Sequence, residues 1–204
     1  MKKMNRFCIY FLLLSLVFFL TNNCKKSTDK TETVIIGQSY QGGVVAYILR
    51  PGDNGYDAKT QHGLIAASSD QSDYAEWGCR VGLWGGSALP GAIGTSIGTG
   101  NQNTIDIMAG CSKAGIAARL CGDLVLAGYS DWYLPSRDEL SRLYDSKAVI
   151  GGFVNACYWS SSQYFTIGSS SSYGTDAYIV WFDDGNQDLG DDKLSPRVRA
   201  IRSF

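Results

Sequence analysis

The sequence predicts an α+β fold. Short apolar runs rich in β-branched and aromatic residues stand at both ends of the domain, and two stretches with helical spacing lie between them. The 204 residues, 45% hydrophobic and 18% charged, suffice for one domain of ordinary size and a tail. Gly42 to Leu49 and Gly63 to Ala67 read as the first two strands, joined by the turn-rich Pro51-Gly52-Asp53-Asn54-Gly55. Ser68 to Gly100 is dense in Gly, Ser and Thr with Trp77 and Trp84 embedded, too long for an ordinary connection. Apolar residues at Ile105, Met108, Ile116, Leu120 and Leu124 predict a first helix over Asn103 to Leu126, broken near Gly110. Ser136 and Glu139 have the spacing of a capping box, so a second helix starts near Arg137 and runs to about Lys147 with Leu140, Leu143 and Tyr144 inward. Tyr158 to Ser162, Ala177 to Phe182 and Arg197 to Phe204 read as strands, with Asp183-Asp184-Gly185-Asn186 as a hairpin turn.

The first 23 residues read as an export signal. Lys2, Lys3 and Arg6 form a basic start, and Phe7 to Leu20 is an apolar run short of the roughly 20 residues that span a bilayer. Thr21-Asn22-Asn23-Cys24 follows at once and resembles a loose bacterial lipoprotein cleavage box, with Asn23 where Gly or Ala is usual. Cys24 would then become the lipidated N-terminus, attaching the chain to the membrane of the bacterial cell envelope, at the outer membrane or cell surface. Residues 24–36 begin with the polar run Lys25 to Thr33 and read as a tether, and 37–204 as the domain.

Composition removes several function classes. Net charge is −1 with a pI near 5.8, and loss of the signal leaves 15 basic against 19 acidic side chains, so nucleic acid is excluded as a partner for lack of its electrostatic driving force. A single histidine, His62, leaves little room for zinc sites or nucleophile–base pairs. Four cysteines remain in the exported domain: Cys79, Cys111, Cys121 and Cys157. An oxidising compartment favours two disulfides among them, with three connectivities open. Cys79 with Cys111 and Cys121 with Cys157 is the expected arrangement; Cys111 and Cys121, about 15 Å apart on one continuous helix, are too far apart to bridge each other.

The blocks YQGGVVAYIL, IGTGNQNTIDIMAGC, GIAARLCGDLVLAGYSDWYLPSRDELSRLY, IGGF, YWSSS and RVRAIRSF, in this order, resemble the Lcl C-terminal domain family, a bacterial domain of unknown function, from about Gly37 to Phe204. The resemblance implies a C-type-lectin-like fold related to the formylglycine-generating-enzyme architecture: two helices packed on twisted antiparallel sheets, the ends of the domain close together, and long loops on one side. It also implies a non-catalytic domain that binds a glycan, polysaccharide or protein. The alternatives are an enzyme of the formylglycine-generating kind, which here needs reactive thiols, and a structural protein contacting other envelope proteins.

Candidate ligand contacts are Trp84 in the first long loop and Tyr164 and Asp176 around the second, Gln163 to Asp176. The other tryptophans, Trp132, Trp159 and Trp181 above all, read as structural. Gly94-Thr95-Ser96-Ile97-Gly98 matches the nucleophile-elbow pattern, but the only histidine precedes Ser96, so no catalytic residue is assigned. Asp183, Asn186 and Asp188, with Asp184, Asp191 and Asp192 nearby, offer oxygen ligands for calcium without the calcium-loop spacing; no metal site or cofactor is expected beyond that candidate. Arg197, Arg199 and Arg202 are expected to pair with acids such as Asp138 or Glu139.

Overall fold

The fold is α+β, with helices and antiparallel sheets. The computed structural model describes residues 33–79, 89, 91–164, 177–190, 194 and 196–204. The signal, Cys24, Trp84, Asp176, Asp191 and Asp192 lie outside the described residues.

Strands β1 (Ser39–Tyr40), β2 (Gly43–Ile48) and β3 (Gly63–Ala66) follow one another antiparallel, and β7 (Ile201–Ser203) adds to β3, giving the order β1-β2-β3-β7. A second sheet holds β4 (Cys157–Gln163), β5 (Ala177–Trp181) and β6 (Gln187–Gly190) in sequence order. Alternate residues point to opposite faces of a strand, and here both faces are covered. Ile65, Trp159 and Ile179 enter one apolar cluster with Ile107, Ile116 and Trp132, while Leu64, Tyr158 and Val180 enter another with Leu140, Leu143 and Phe182. Hence β3 and β4 are buried at every position.

The C-terminal run does not form one long strand. Ile201–Ser203 pairs on β3 and Phe204 exchanges backbone bonds with Gly63, while Arg197 exchanges backbone bonds with Cys157 and Trp159 of the other sheet, at 2.9 and 3.0 Å. Val198 donates to Ser72 at 3.0 Å and Ala200 accepts from Ala67 at 2.9 Å, so this segment stitches the two sheets together. At the other end, Val34 is buried, exchanging bonds with the Gln61 side chain at 2.8 and 3.1 Å, and Tyr40 packs edge-on against Phe204 with ring centres 5.4 Å apart.

Each expected helix is divided. The first is α1 (Gly100–Gly110) and α2 (Ala117–Gly122), broken at Gly110 to Ile116; the second is α3 (Arg137–Asp145) and the single turn α4 (Lys147–Ile150). On α1 the inward face is Gly100, Asn103, Thr104 and Ile107, whereas Ile105 is half exposed. The polar side chains win the inner face because each has a buried partner. Asn103 brackets Gly94 through both its N–H and its carbonyl, and Thr104 donates to Gly100 O and accepts from Leu134 N. Gly100 has to be glycine, since a Cβ there would meet the Glu139 carboxylate at 2.2 Å. The capping box of α3 is formed: Ser136 Oγ accepts from Glu139 N, and Glu139 Oε2 accepts from Ser136 N at 2.7 Å. Leu140 and Leu143 are fully buried and Tyr144 partly, its ring edge-on to Phe182.

Cys79 and Cys111 form a disulfide, their Cα atoms 5.3 Å apart. The second expected bridge is absent. Cys121 and Cys157 are free thiols, and both belong to the apolar cluster beneath the sheets, where a cysteine packs as a small hydrophobe. Burial pushes both thiols up, Cys121 most. A thiol raised in this way carries less of the nucleophilic thiolate.

The arginine expectation also changes. Asp138 and Glu139 are not the partners of the C-terminal arginines; Asp70 and Asp131 are. Asp70 receives Arg197 Nε at 2.7 Å, Arg199 Nε at 2.7 Å and the Tyr158 hydroxyl at 3.0 Å. Asp131 holds Arg202 through two parallel bonds of 2.7 Å. The capping box already occupies Glu139, and the neighbouring Arg137 occupies Asp138.

Candidate functional site

Three elements far apart in sequence meet at one open cleft of about 440 Å³: Gly52 to Asn54 of the β2–β3 turn, Ser96 and Ile97 of the glycine-rich loop, and Asp138 and Arg142 one turn apart on α3. The α3 spacing of four residues puts Asp138 and Arg142 on one face of the helix.

Each wall is fixed by a bond network that leaves some polar atoms uncommitted. Asp53 Oδ2 accepts from the Tyr47 hydroxyl at 2.8 Å and from Arg50 N at 2.7 Å, while its Oδ1 has no hydrogen bond among the described residues. Burial, reinforced by the Asp53 carboxylate, holds the Tyr47 hydroxyl above its ordinary range, so it stays a donor. Asp138 Oδ1 takes Arg137 Nε at 2.8 Å, and its other oxygen is uncommitted among the described residues. Arg142 binds Asp145 through NH1 at 2.8 Å and lies 5.6 Å from the Tyr47 ring centre, with its buried Nε unpartnered.

The glycine-rich loop is clamped from below. Ser96 O accepts from Ser136 Oγ at 2.9 Å and Thr99 Oγ1 at 2.7 Å, and Thr95 O accepts from Asp138 N at 3.0 Å. Gly94 O accepts from both Asn103 Nδ2 and Ser162 Oγ at 2.6 Å, and Gly98 N donates to Glu139 Oε1 at 2.8 Å. The nucleophile-elbow pattern is therefore a wall of the cleft. His62 is remote from it in bonding, its Nδ1 lying 3.0 Å from Phe204 O. Complete burial raises the Glu139 carboxyl to about 7 against the opposing pull of the Ser136 and Gly98 amides.

Of the three expected ligand contacts, Tyr164 alone falls among the described residues. It stands at the end of β4, 36% exposed and edge-on to Tyr178 at 5.8 Å. Arg137 lies over the Tyr178 ring at 5.1 Å and bonds Asp138, so Tyr164 is the outer end of a chain of contacts leading into the cleft. Trp77 and Trp159 are structural: buried, with their indole N–H groups bonded to Ser160 O at 2.7 Å and Ala75 O at 2.9 Å. Trp132 is buried as well, and Trp181 partly.

At the proposed calcium turn, the oxygens serve the hairpin. Asp184 accepts from the backbone and side chain of Asn186, and Asp188 Oδ1 accepts from Leu189 N at 2.8 Å. Among the described residues no three His, Cys, Asp or Glu side chains converge to hold a metal ion.

Sequence reasoning reached Asp53 and Asn54 only as turn formers and Arg142 not at all. The signal available was Arg142 four residues after Asp138. A larger cleft of about 510 Å³ lies over Ser112 to Val125, but its cation, Arg119, is spent on Met108 O and Cys111 O. Compared with protein-family models and with the curated proteins, the chain matches none.

Proposed function

We propose that the chain is an exported envelope lipoprotein, attached through Cys24, whose C-type-lectin-like domain binds a glycan, polysaccharide or protein without transforming it. The observation that carries the binding part is the cleft between the β2–β3 turn, the glycine-rich loop and α3. It offers carboxylate acceptors at Asp53 and Asp138 and guanidinium donors at Arg142, held in place before any ligand arrives. Paired acceptors and donors of this kind suit a hydroxyl-rich ligand, whose vicinal hydroxyls donate to carboxylates and accept from an arginine. Preorganised walls reduce the ordering cost of binding. Tyr164 beside Tyr178 extends the surface with aromatic rings, which suit an extended polymer better than a single small molecule. The anchor part rests on the basic start, the apolar run and Cys24.

The test is binding of the exported protein, its Cys79–Cys111 bridge intact, to a broad array of polysaccharides, with calcium and with chelator. Saturable binding weakened at least tenfold by Asp138→Asn is expected. A folded protein that binds no polymer in either condition contradicts the glycan and polysaccharide reading and moves the weight to a protein ligand.

A further inference from the structure

Apolar side chains are left open where the chain enters the domain. Ile35 is 67% exposed, Ile36 40% and Val149, on α4, 55%. The two places adjoin through the backbone: Gly37, next to Ile36, lies so close to Val149 that a Cβ at Gly37 would stand 3.2 Å from the Val149 Cβ. The backbone here is not loose. Gly37 N donates to Val45 O at 2.8 Å, Val34 is pinned to Gln61, and Ile35 N donates to Gln38 Oε1 at 3.1 Å, so the isoleucines are held outward by a bonded framework. Isolated exposed apolar residues need no explanation, but adjoining ones on a rigid frame at a defined place do.

That place selects the occupant. Only nine residues, Lys25 to Thr33, separate Cys24 from Val34. Nine residues reach at most about 30 Å even when fully extended. Lys25, Lys26 and Lys30 outnumber Asp29 and Glu32 in this stretch, a bias toward an anionic headgroup surface. Ile35 and Ile36, the first exposed apolar side chains after the polar run, are therefore within this short reach of the lipidated residue.

We propose that Ile35, Ile36 and Val149 form a membrane-contact patch, through which the anchored domain rests on the headgroup and acyl boundary of the bilayer that holds it. The inference builds on the lipid-anchor reading above. Acyl chains on Cys24 hold the chain at the bilayer but do not fix how the domain is turned, and a second contact of this kind orients it. Oriented in this way, the domain has a defined resting pose in place of free tumbling on its tether.

The test uses the full chain, isolated from membranes and reconstituted in vesicles of phosphatidylethanolamine and phosphatidylglycerol. An environment-sensitive fluorophore is placed on V149C and, separately, on I105C, which is exposed to a similar degree on α1. Cys121 and Cys157 are buried, so labelling of the native protein is selective. Mass spectrometry of the Cys24 peptide is read first. The expected result is an acylated Cys24, with headgroup-depth nitroxide lipids quenching the V149C probe at least threefold more than the I105C probe. Ile35→Ser with Ile36→Ser should remove the difference. An unmodified Cys24 overturns both the anchor and the patch. An acylated Cys24 with equal quenching at the two probes overturns the patch alone, as does protection of the V149C probe without lipid quenching, the sign of a second copy covering it.

Discussion

Two places in this molecule use the same residue types to opposite ends. At Asp70 the carboxylate is saturated. Arg197, Tyr158 and two nitrogens of Arg199 fill it, and the remaining Arg199 donors go to Ala67, Gly151 and Gly152 carbonyls, with the guanidinium 3.9 Å from the Phe153 ring centre. Arg199 is wholly buried there. At the cleft, Asp53, Asp138 and Arg142 are each satisfied on one side only and open on the other. Completed charge networks fix a structure; incomplete ones on a fixed frame are available to a ligand. The difference lies in the neighbours, since nothing in composition separates an arginine or aspartate of one place from those of the other.

Removing the centre of the closed network has the largest expected effect. Asp70→Ala leaves Arg199 charged and buried without its counter-ion, an arrangement that costs about 3–5 kcal/mol. Urea unfolding should show this loss, and a change below about 1 kcal/mol would mean that water reaches Arg199. Next comes the Cys79–Cys111 bridge, which closes a separation of 32 residues. By chain entropy, Cys79→Ser with Cys111→Ser should cost about 3–4 kcal/mol, measured in the same way.

Glu139, beneath the cleft wall, gives a pH signature. Its folded value of about 7 lies above the ordinary carboxyl value of 4.5, so between these values the folded state holds more protons than the unfolded state. Its contribution is fully present below about pH 4.5 and is lost as pH rises toward 7. Glu139→Gln should flatten this decline in stability between pH 4.5 and 7; an unchanged slope would mean that the amides of Gly98 and Ser136 keep the carboxylate ionised throughout. The smallest effect on stability, within about 0.5 kcal/mol, is expected for Asp138→Asn in the open cleft, where the substitution meets solvent. Thermal unfolding of that variant checks it, and a shift as large as that of Asp70→Ala would erase the distinction between the two places.

Local signals were legible in the sequence. The capping box, the break at Gly110, the Asp-Gly hairpin and the strand runs all depend on residues within a few positions of one another, and all are present except the long C-terminal strand. Long-range choices were not. Periodicity put Ile105 inward, because it counts apolar residues and is blind to Asn103 and Thr104 finding buried partners on Gly94 and Leu134. Parity of the cysteine count expected a second bridge, but Cys121 and Cys157 are used as packing atoms. The acids for Arg199 and Arg202 were sought on α3 because it is charged, whereas the segment crossing between the sheets delivers these arginines to Asp70 and Asp131. The cleft was invisible for the same reason: its three walls are 40 residues or more apart in the chain.

The most direct test of the account is one binding series on the polysaccharide array, comparing the unaltered protein, Asp53→Asn with Asp138→Asn, and Arg197→Lys in the closed network. At least tenfold weaker binding is expected for the cleft variant with its thermal stability unchanged, and unaltered affinity for the Arg197 variant despite lower stability. Binding that survives in the cleft variant and falls in step with stability across the series would contradict it.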